Sequence, residues 1–473
     1  MKADLIIKNI DNLITLKGPN RPRVKEEMKE IGLIKNGIVA INKDKIIYVG
    51  EGELPSNIET HKDTIFLDGK GKTVTPGLVD SHTHLVHGGS REHELSMKLN
   101  GAKYLDILEA GGGIHSTVNA TRKASFEELY KKAKKSLDIM LGYGVTTVEA
   151  KSGYGLDDFD TEIKQMEVAK KLDKDHPVDV VSTFLGAHAI PLKYKDNPRK
   201  FVDIIVNEMI PEVAKRHLAK FCDVFCEKGV FTVAESKEIL KAGLNHGLLA
   251  KVHADEIESL GGAELAAEVG CITADHLVSA SDKGIKLMAE KGVIANLLPA
   301  TSFNLQSGKF AKARKMIDEG VAVALSTDYN PGSCPTENMQ LVMSFASIIM
   351  KLTPEEVITA ATINGASSLK LEDEIGSIEV GKKADIVMFD VPNLDYMIYH
   401  FGINHTGKVV KNGKIVFEKP KNIYLEGVAT VLITANSVNI LVEMPGLFTL
   451  NFKRSETFSL IDISIKLKVF LIY

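Results

Sequence analysis

The feature that most limits how this chain can fold is an alternation along its middle. Apolar, β-branched runs of strand length recur there, and each is followed by a stretch carrying helical signals. The runs are Leu78 to His84, Val145 to Lys151, Val178 to His188, Ala219 to Glu227, Leu248 to His253, Cys271 to His276, Gly292 to Leu298 and Val321 to Asp328. Between them, Ser125-x-x-Glu128, Thr232-x-x-Glu235 and Thr353-Pro354-x-Glu356 fit the capping box, in which a Ser or Thr and a Glu three residues on satisfy each other's backbone donors. Strands alternating with helices predict an α/β fold with a parallel sheet, and eight such units predict a closed (β/α)8 TIM-like barrel, longer than the usual ~250 residues. A doubly wound open sheet is the alternative.

The flanks have a different grain. Leu5 to Ile7, Gly32 to Ile41, Lys45 to Val49 and Thr64 to Leu67 read as short strands separated by turns such as Asn36-Gly37. After the barrel, Ala384 to Phe389 and a hairpin from Val409 to Phe417, turning at Asn412-Gly413, are strands again. The expectation is a small composite β-sandwich domain formed from both chain ends: residues 1–74, then the barrel over 75–372, then 373–419. Residues 420–473 are atypical, being apolar and β-branched without cap punctuation, and end on Val-Phe-Leu-Ile-Tyr, a low-charge segment of aggregating type. No catalytic role is expected of them.

Charge excludes some partners. With 58 Lys and Arg against 62 Asp and Glu, the net charge of −4 gives no field that would draw the chain to nucleic acid or an anionic membrane. No apolar stretch has the length of a spanning helix, and the N-terminus carries no signal-peptide core. Four cysteines in 473 residues are no disulfide framework, which suits a reducing, cytoplasmic setting. Cys222 and Cys226 lack a second pair at zinc-finger spacing and read as buried core thiols.

Ionisable residues gather at the C-terminal ends of the predicted strands, the end of a barrel that carries function. The first run ends Asp80-Ser81-His82-Thr83-His84, the fifth at His253, the sixth at Asp275-His276 and the eighth at Ser326-Thr327-Asp328. A His-x-His on a strand presents both imidazoles to one side, and neighbouring strands can bring a third His and an Asp to within about 2 Å of one cation. Three neutral nitrogens and a carboxylate, with room left for water, suit a single divalent metal, zinc or iron(II).

The run Thr75-Pro76-Gly77-Leu78-Val79-Asp80-Ser81-His82-Thr83-His84, with His253, His276 and Asp328 on later strands and a split β domain, resembles the metal-dependent amidohydrolase superfamily. Glu149-Ala150-Lys151-Ser152-Gly153-Tyr154-Gly155, Leu185-Gly186-Ala187-His188 and Asp328-Tyr329-Asn330-Pro331-Gly332-Ser333 narrow the resemblance to the imidazolonepropionase family, over about residues 3 to 419. The resemblance implies hydrolysis of the cyclic amide of 4-imidazolone-5-propanoate to N-formimidoyl-L-glutamate in histidine degradation. It also implies a homodimer. Another cyclic-amide hydrolase or an aminohydrolase of the same superfamily is the alternative, and a catalytically dead scaffold is disfavoured because all four matching ligands are present.

Carried over position by position, the resemblance makes His82, His84, His253 and Asp328 the metal ligands, with Asp328 also a proton carrier. His276 would orient the attacking water and stabilise the oxyanion, and Glu256 would bond the ring nitrogen or move a proton. Binuclear relatives carry a carboxylated lysine at the end of the fourth strand, where this chain has Cys226-Glu227, so one metal is expected. Lys151 ends the second strand, and a buried ion pair with Glu227 or another acid is weighed evenly against a functional role. The carboxylate arm of the substrate needs a fixed cation, for which Arg91 is the match, with Tyr154 and His188 completing the grip. Asn330, Gly332 and Ser333 would line the other side. The loop Gly111 to His115 reads as a lid or a flexible turn and does not have the form of a phosphate cradle.

Overall fold

The computed structural model describes residues 2–101, 112–306, 308–420, 428–434 and 437–443. Eight parallel strands form the central sheet: β1 (Leu78–Asp80), β2 (Val145–Lys151), β3 (Asp179–Ala187), β4 (Phe221–Cys226), β5 (Leu249–Ala254), β6 (Thr273–His276), β7 (Ile294–Leu297) and β8 (Val323–Leu325). Each pairs with its neighbour in sequence, from β1 at one end of the ladder to β8 at the other. Strands buried on both faces need no polar alternation, and β2 is buried at every position. The three capping boxes form as predicted, opening the helices Phe126–Gly142, Val233–Asn245 and Pro354–Thr359.

The sheet closes into a barrel just beyond the ends of β1 and β8. There the Asp328 N–H donates to the His82 carbonyl at 3.0 Å, and the His84 N–H donates to the Tyr329 carbonyl at 2.8 Å. The buried Asp80 carboxylate accepts from the Thr327 N–H at 3.0 Å and from its hydroxyl at 2.6 Å. Both regular strands are therefore shorter than the predicted runs, which reach His84 and Asp328. Past the end of β8 the backbone of Asp328 is left-handed, with φ 56°, and so is that of His276, where β6 ends, with φ 73°. Non-glycine residues in the left-handed region are uncommon, and here they turn side chains into the barrel mouth.

Both chain ends build the smaller part. One sheet has the order Lys45–Glu51, Gly37–Asn42, Leu5–Ile10, Ile65–Asp68. The other runs Lys414–Glu418, Thr406–Lys411, Ile386–Phe389, Thr73–Pro76, Asn12–Ile14, Leu33–Ile34. The expectation that strand 384–389 lies beside the N-terminal strands holds: the Ala384 N–H donates to the Asp44 carbonyl at 2.8 Å. Leu5, Ile7 and Val39 share one buried cluster with Ile386, Met388 and Val410. Thr73–Pro76, not separated in the sequence reading, leads straight into β1 through Gly77. A Cβ there would lie 2.1 Å from the Thr146 hydroxyl, so the approach of the two strands requires glycine.

Residues 419–473 form a second unit, in which Val428–Thr434 pairs antiparallel with Ser437–Glu443. The terminal Val-Phe-Leu-Ile-Tyr segment lies outside the described residues. Cys222 and Cys226 are buried and free, as expected of core thiols, and so are Cys271 and Cys334. No helix among the described residues is long and apolar enough to cross a membrane. A chain ending at Lys419 is expected to retain the circular dichroism and the cooperative thermal unfolding of the full chain, and loss of either on truncation would assign the second unit a structural role.

Candidate metal centre

The segment after β1, the ends of β5 and β6 and the turn after β8 deliver His82, His84, His253, His276 and Asp328 to one buried locus. His82 is at its middle. Its ring centroid is 4.6 Å from that of His253 and 5.5 Å from those of His84 and His276. Two triplets, each with donor atoms within 4.8 Å of one another, share it: His82 with His84 and Asp328, and His82 with His253 and His276. Asp328 Oδ1 lies 3.5 Å from His82 Nε2 and 3.6 Å from His84 Nε2, while its Oδ2 accepts from the Thr301 hydroxyl at 2.7 Å.

These residues fit a divalent cation. His82 Nε2 and His253 Nε2 are buried and have no hydrogen-bond partner among the described residues. A buried polar atom left unpaired costs about 1–3 kcal/mol, and a cation between them would satisfy both. Burial holds His82, His84 and His276 well below the ordinary imidazole range, in the neutral form that binds metal. The tautomer is also set: His82 Nδ1 meets Asp275 Oδ2 at 2.6 Å, which leaves Nε2 to face the centre. His253 Nδ1 lies 3.1 Å from Asp223 Oδ2, a carboxylate that favours the proton on Nδ1 and leaves Nε2 to the centre.

Asp223, Asp275 and Thr301 had no role in the sequence reading. A signal existed for the first: an aspartate inside the apolar run FCDVFC must have a buried partner. Lys151 does form a buried ion pair, though not with Glu227, since its ammonium lies 2.7 Å from Asp223 Oδ2. Glu227 instead accepts from the Ile257 N–H at 2.9 Å and so shapes the turn that carries Glu256. Glu256 Oε2 stands 3.7 Å from His276 Nε2, and the two line a cavity of about 180 Å³ with Thr301 and Ser302.

On the opposite side His84 and His188 stack with centroids 4.8 Å apart, and Tyr154 lies 5.4 Å from His188. His188 Nδ1 donates to the Gly153 carbonyl at 3.1 Å. Arg91 reaches the same region from the loop after His84. Its Nε and Nη2 grip the buried Glu94 carboxylate at 2.8 Å each, and Glu94 also accepts from the Gly113 N–H at 2.7 Å. The remaining Nη1 packs on Gly332, where a Cβ would lie 2.0 Å away. Arg91, Gly332 and Tyr329 line a cavity of about 460 Å³. Asn330 works within its own turn: Oδ1 accepts from the Gly332 and Ser333 N–H groups at 2.9 and 2.7 Å, and Nδ2 donates to the Ser333 hydroxyl at 2.8 Å. Of the glycine loop, Gly111 lies outside the described residues, while Gly113 opens the helix Ile114–Lys123.

Comparison with known proteins agrees with this architecture. The model of the amidohydrolase family matches residues 73–423. An imidazolonepropionase of Alkaliphilus metalliredigens is 60% identical over 423 residues, 89% of this chain and 100% of the relative. One from Alkaliphilus oremlandii is 57% identical over 419 residues, 89% of this chain and 99% of the relative. Among solved structures, a zinc-bound adenosine deaminase from Xanthomonas campestris superposes with TM-score 0.62 at 20% identity, covering 88% of this chain and 93% of that one. An atrazine chlorohydrolase from Arthrobacter aurescens complexed with zinc gives 0.65 at 18% identity, covering 89% and 97%. The structural neighbours share the fold, and the sequence relatives carry the assignment further: the chain belongs to the amidohydrolase family and, within it, to the imidazolonepropionases.

Proposed function

We propose that this chain hydrolyses the cyclic amide of 4-imidazolone-5-propanoate to N-formimidoyl-L-glutamate, the reaction named for its relatives in histidine degradation. The observation that carries the reading is a buried His and Asp donor cluster together with Arg91, a guanidinium from the loop after His84 that Glu94 holds in one orientation. A heterocycle without a carboxylate arm gives Arg91 nothing to bind, which disfavours an aminohydrolase acting on a neutral ring.

His82, His84, His253 and Asp328 would hold one divalent ion, zinc or iron(II), both of which accept a three-imidazole, one-carboxylate set. Bound there, the ion supplies Lewis acidity, polarising the ring carbonyl and making water more acidic. The side chains divide the remaining work. Asp328 takes the proton of the attacking water, and Thr301 holds its second oxygen still. His276 faces the developing oxyanion. Burial pushes the Glu256 carboxyl up to about 8, with Asp328 adding to the shift, so at neutral pH it is protonated and able to give its proton to the departing ring nitrogen as the carbon–nitrogen bond breaks. Arg91 takes the substrate carboxylate, with Tyr154 and His188 completing the grip, and the Asn330 turn holds Gly332 against the guanidinium rather than on the other side of the pocket. Four buried free cysteines suit work in the cytoplasm. A homodimer is part of the proposal and rests on the family resemblance.

The direct test is to generate imidazolonepropionate from urocanate in place and follow N-formimidoylglutamate before and after chelation. Product should vanish with the metal and return with zinc or iron(II); a folded, metal-loaded enzyme that yields none refutes the substrate. Arg91→Ala should raise KM by about 10–100-fold with kcat nearly kept, because the lost charge-assisted contact exists in ground and transition states alike. A reduced kcat at unchanged KM would contradict that role. For Glu256 the sign follows from the raised carboxyl: the donor form is present below about pH 8 and lost above it. The wild-type rate should therefore fall on the alkaline side, and Glu256→Gln should abolish that limb and lower kcat by about 10²–10⁴-fold. An unaltered alkaline limb in the variant would exclude Glu256 as the acid.

A further inference from the structure

Beneath the histidines, the barrel interior holds charge where hydrocarbon would be expected. The Lys151 ammonium on β2 lies 2.7 Å from Asp223 Oδ2 on β4, 3.1 Å from Glu149 Oε2 and 3.5 Å from Asp275 Oδ2 on β6. Lys251 on β5 lies 3.0 Å from the same Glu149 oxygen. All five side chains are fully buried. Taking such groups out of water costs several kcal/mol per ion, and the reaction described above consumes none of them.

The arrangement has an order that charge balance alone does not require. The Asp223 oxygen that meets Lys151 is the one 3.1 Å from His253 Nδ1, and the Asp275 oxygen that meets Lys151 is the one 2.6 Å from His82 Nδ1. One ammonium thus joins two carboxylates, and each carboxylate backs a different histidine of the donor cluster. Lysine suits this place because its ammonium is a compact charge, which here donates to Glu149 and Asp223 and lies within 3.5 Å of Asp275. Lys251 is engaged elsewhere, donating to the Ser81 carbonyl at 3.2 Å beside His82.

We propose that Lys151 is a positioning residue for the metal centre, which through Asp223 and Asp275 fixes the orientation and tautomer of His253 and His82 together and thereby sets metal affinity. The proposal rests on the reading of those two histidines as ligands. Carboxylates behind ligating histidines typically contribute 10–100-fold to metal affinity, and Lys151 holds both carboxylates in place against their histidines.

The test is zinc binding to the chelator-stripped full chain, measured by competition with a chromophoric chelator. Lys151→Met should weaken zinc binding by about 10–100-fold and move the visible absorption of the cobalt-substituted protein. Added to Asp223→Asn, it should cost less than it does alone, because the two changes break one linkage. Unchanged or tighter zinc binding in folded Lys151→Met would overturn the proposal, as would losses that simply add. Should Lys151→Met fail to fold, the isosteric Asp275→Asn reads the same linkage, and wild-type affinity there is equally fatal. His253→Ala separates the two levels. Zinc binding that survives in it overturns the ligand assignment, whereas binding lost there but intact in Lys151→Met overturns only the role of Lys151.

Discussion

The structure depends on how the barrel closes. The eighth strand meets the first through the backbone of the residues that carry the chemistry: Asp328 bonds to His82 and Tyr329 to His84, while the Asp80 carboxylate holds Thr327 from the far side. Closure and site assembly are the same event, because the separations of His82, His84 and Asp328 are set by that seam. Burial pushes the Asp80 carboxyl up to about 7, so the seam contains a group that would be costly to bury without its two donors from Thr327.

Two kinds of buried polarity lie on either side of the centre. Below it, lysines and acids neutralise one another and order the histidines from behind. Above it, Arg91 is neutralised on two edges by Glu94, which is itself held by a backbone N–H, and its third nitrogen rests on a glycine. In both places a cation is held rigidly by a buried carboxylate, and rigidity of this kind lets a site bind without first spending energy on ordering side chains.

Much of this was legible in the sequence, for definite reasons. The barrel followed from period and punctuation: β-branched runs, capping boxes and the polar strand ends each announce themselves locally. Four cluster residues, His82, His84, His253 and His276, came from their positions at strand ends. The roles of Asp223, Asp275 and Thr301 are not visible in the sequence because they lie in what these residues touch across the barrel, 27 residues away for Thr301 and Asp328 and 193 for Asp275 and His82. The buried ion pair of Lys151 is with another acid than Glu227: Asp223 lies inside β4 and faces the lysine, whereas Glu227 follows the end of that strand and accepts from the Ile257 N–H instead. The first and eighth strands end before the predicted runs do, at Asp80 and Leu325, because pattern does not show where ladder pairing gives way to single backbone contacts such as those of His82 and His84 with Asp328 and Tyr329.

The split sheet has a consequence for the order of events in the living chain. Thr73–Pro76 pairs on one edge with Asn12–Ile14 and on the other with Ile386–Phe389, so the strand that feeds the barrel has one of its two neighbours more than three hundred residues downstream. While the ribosome is still making the barrel, the N-terminal strands present an unpaired edge and an uncovered apolar face. Contacts this distant close late and slowly, and until they do an exposed edge is open to pairing with other chains. That edge is therefore closed only when the strands from Ile386 to Glu418 have been made.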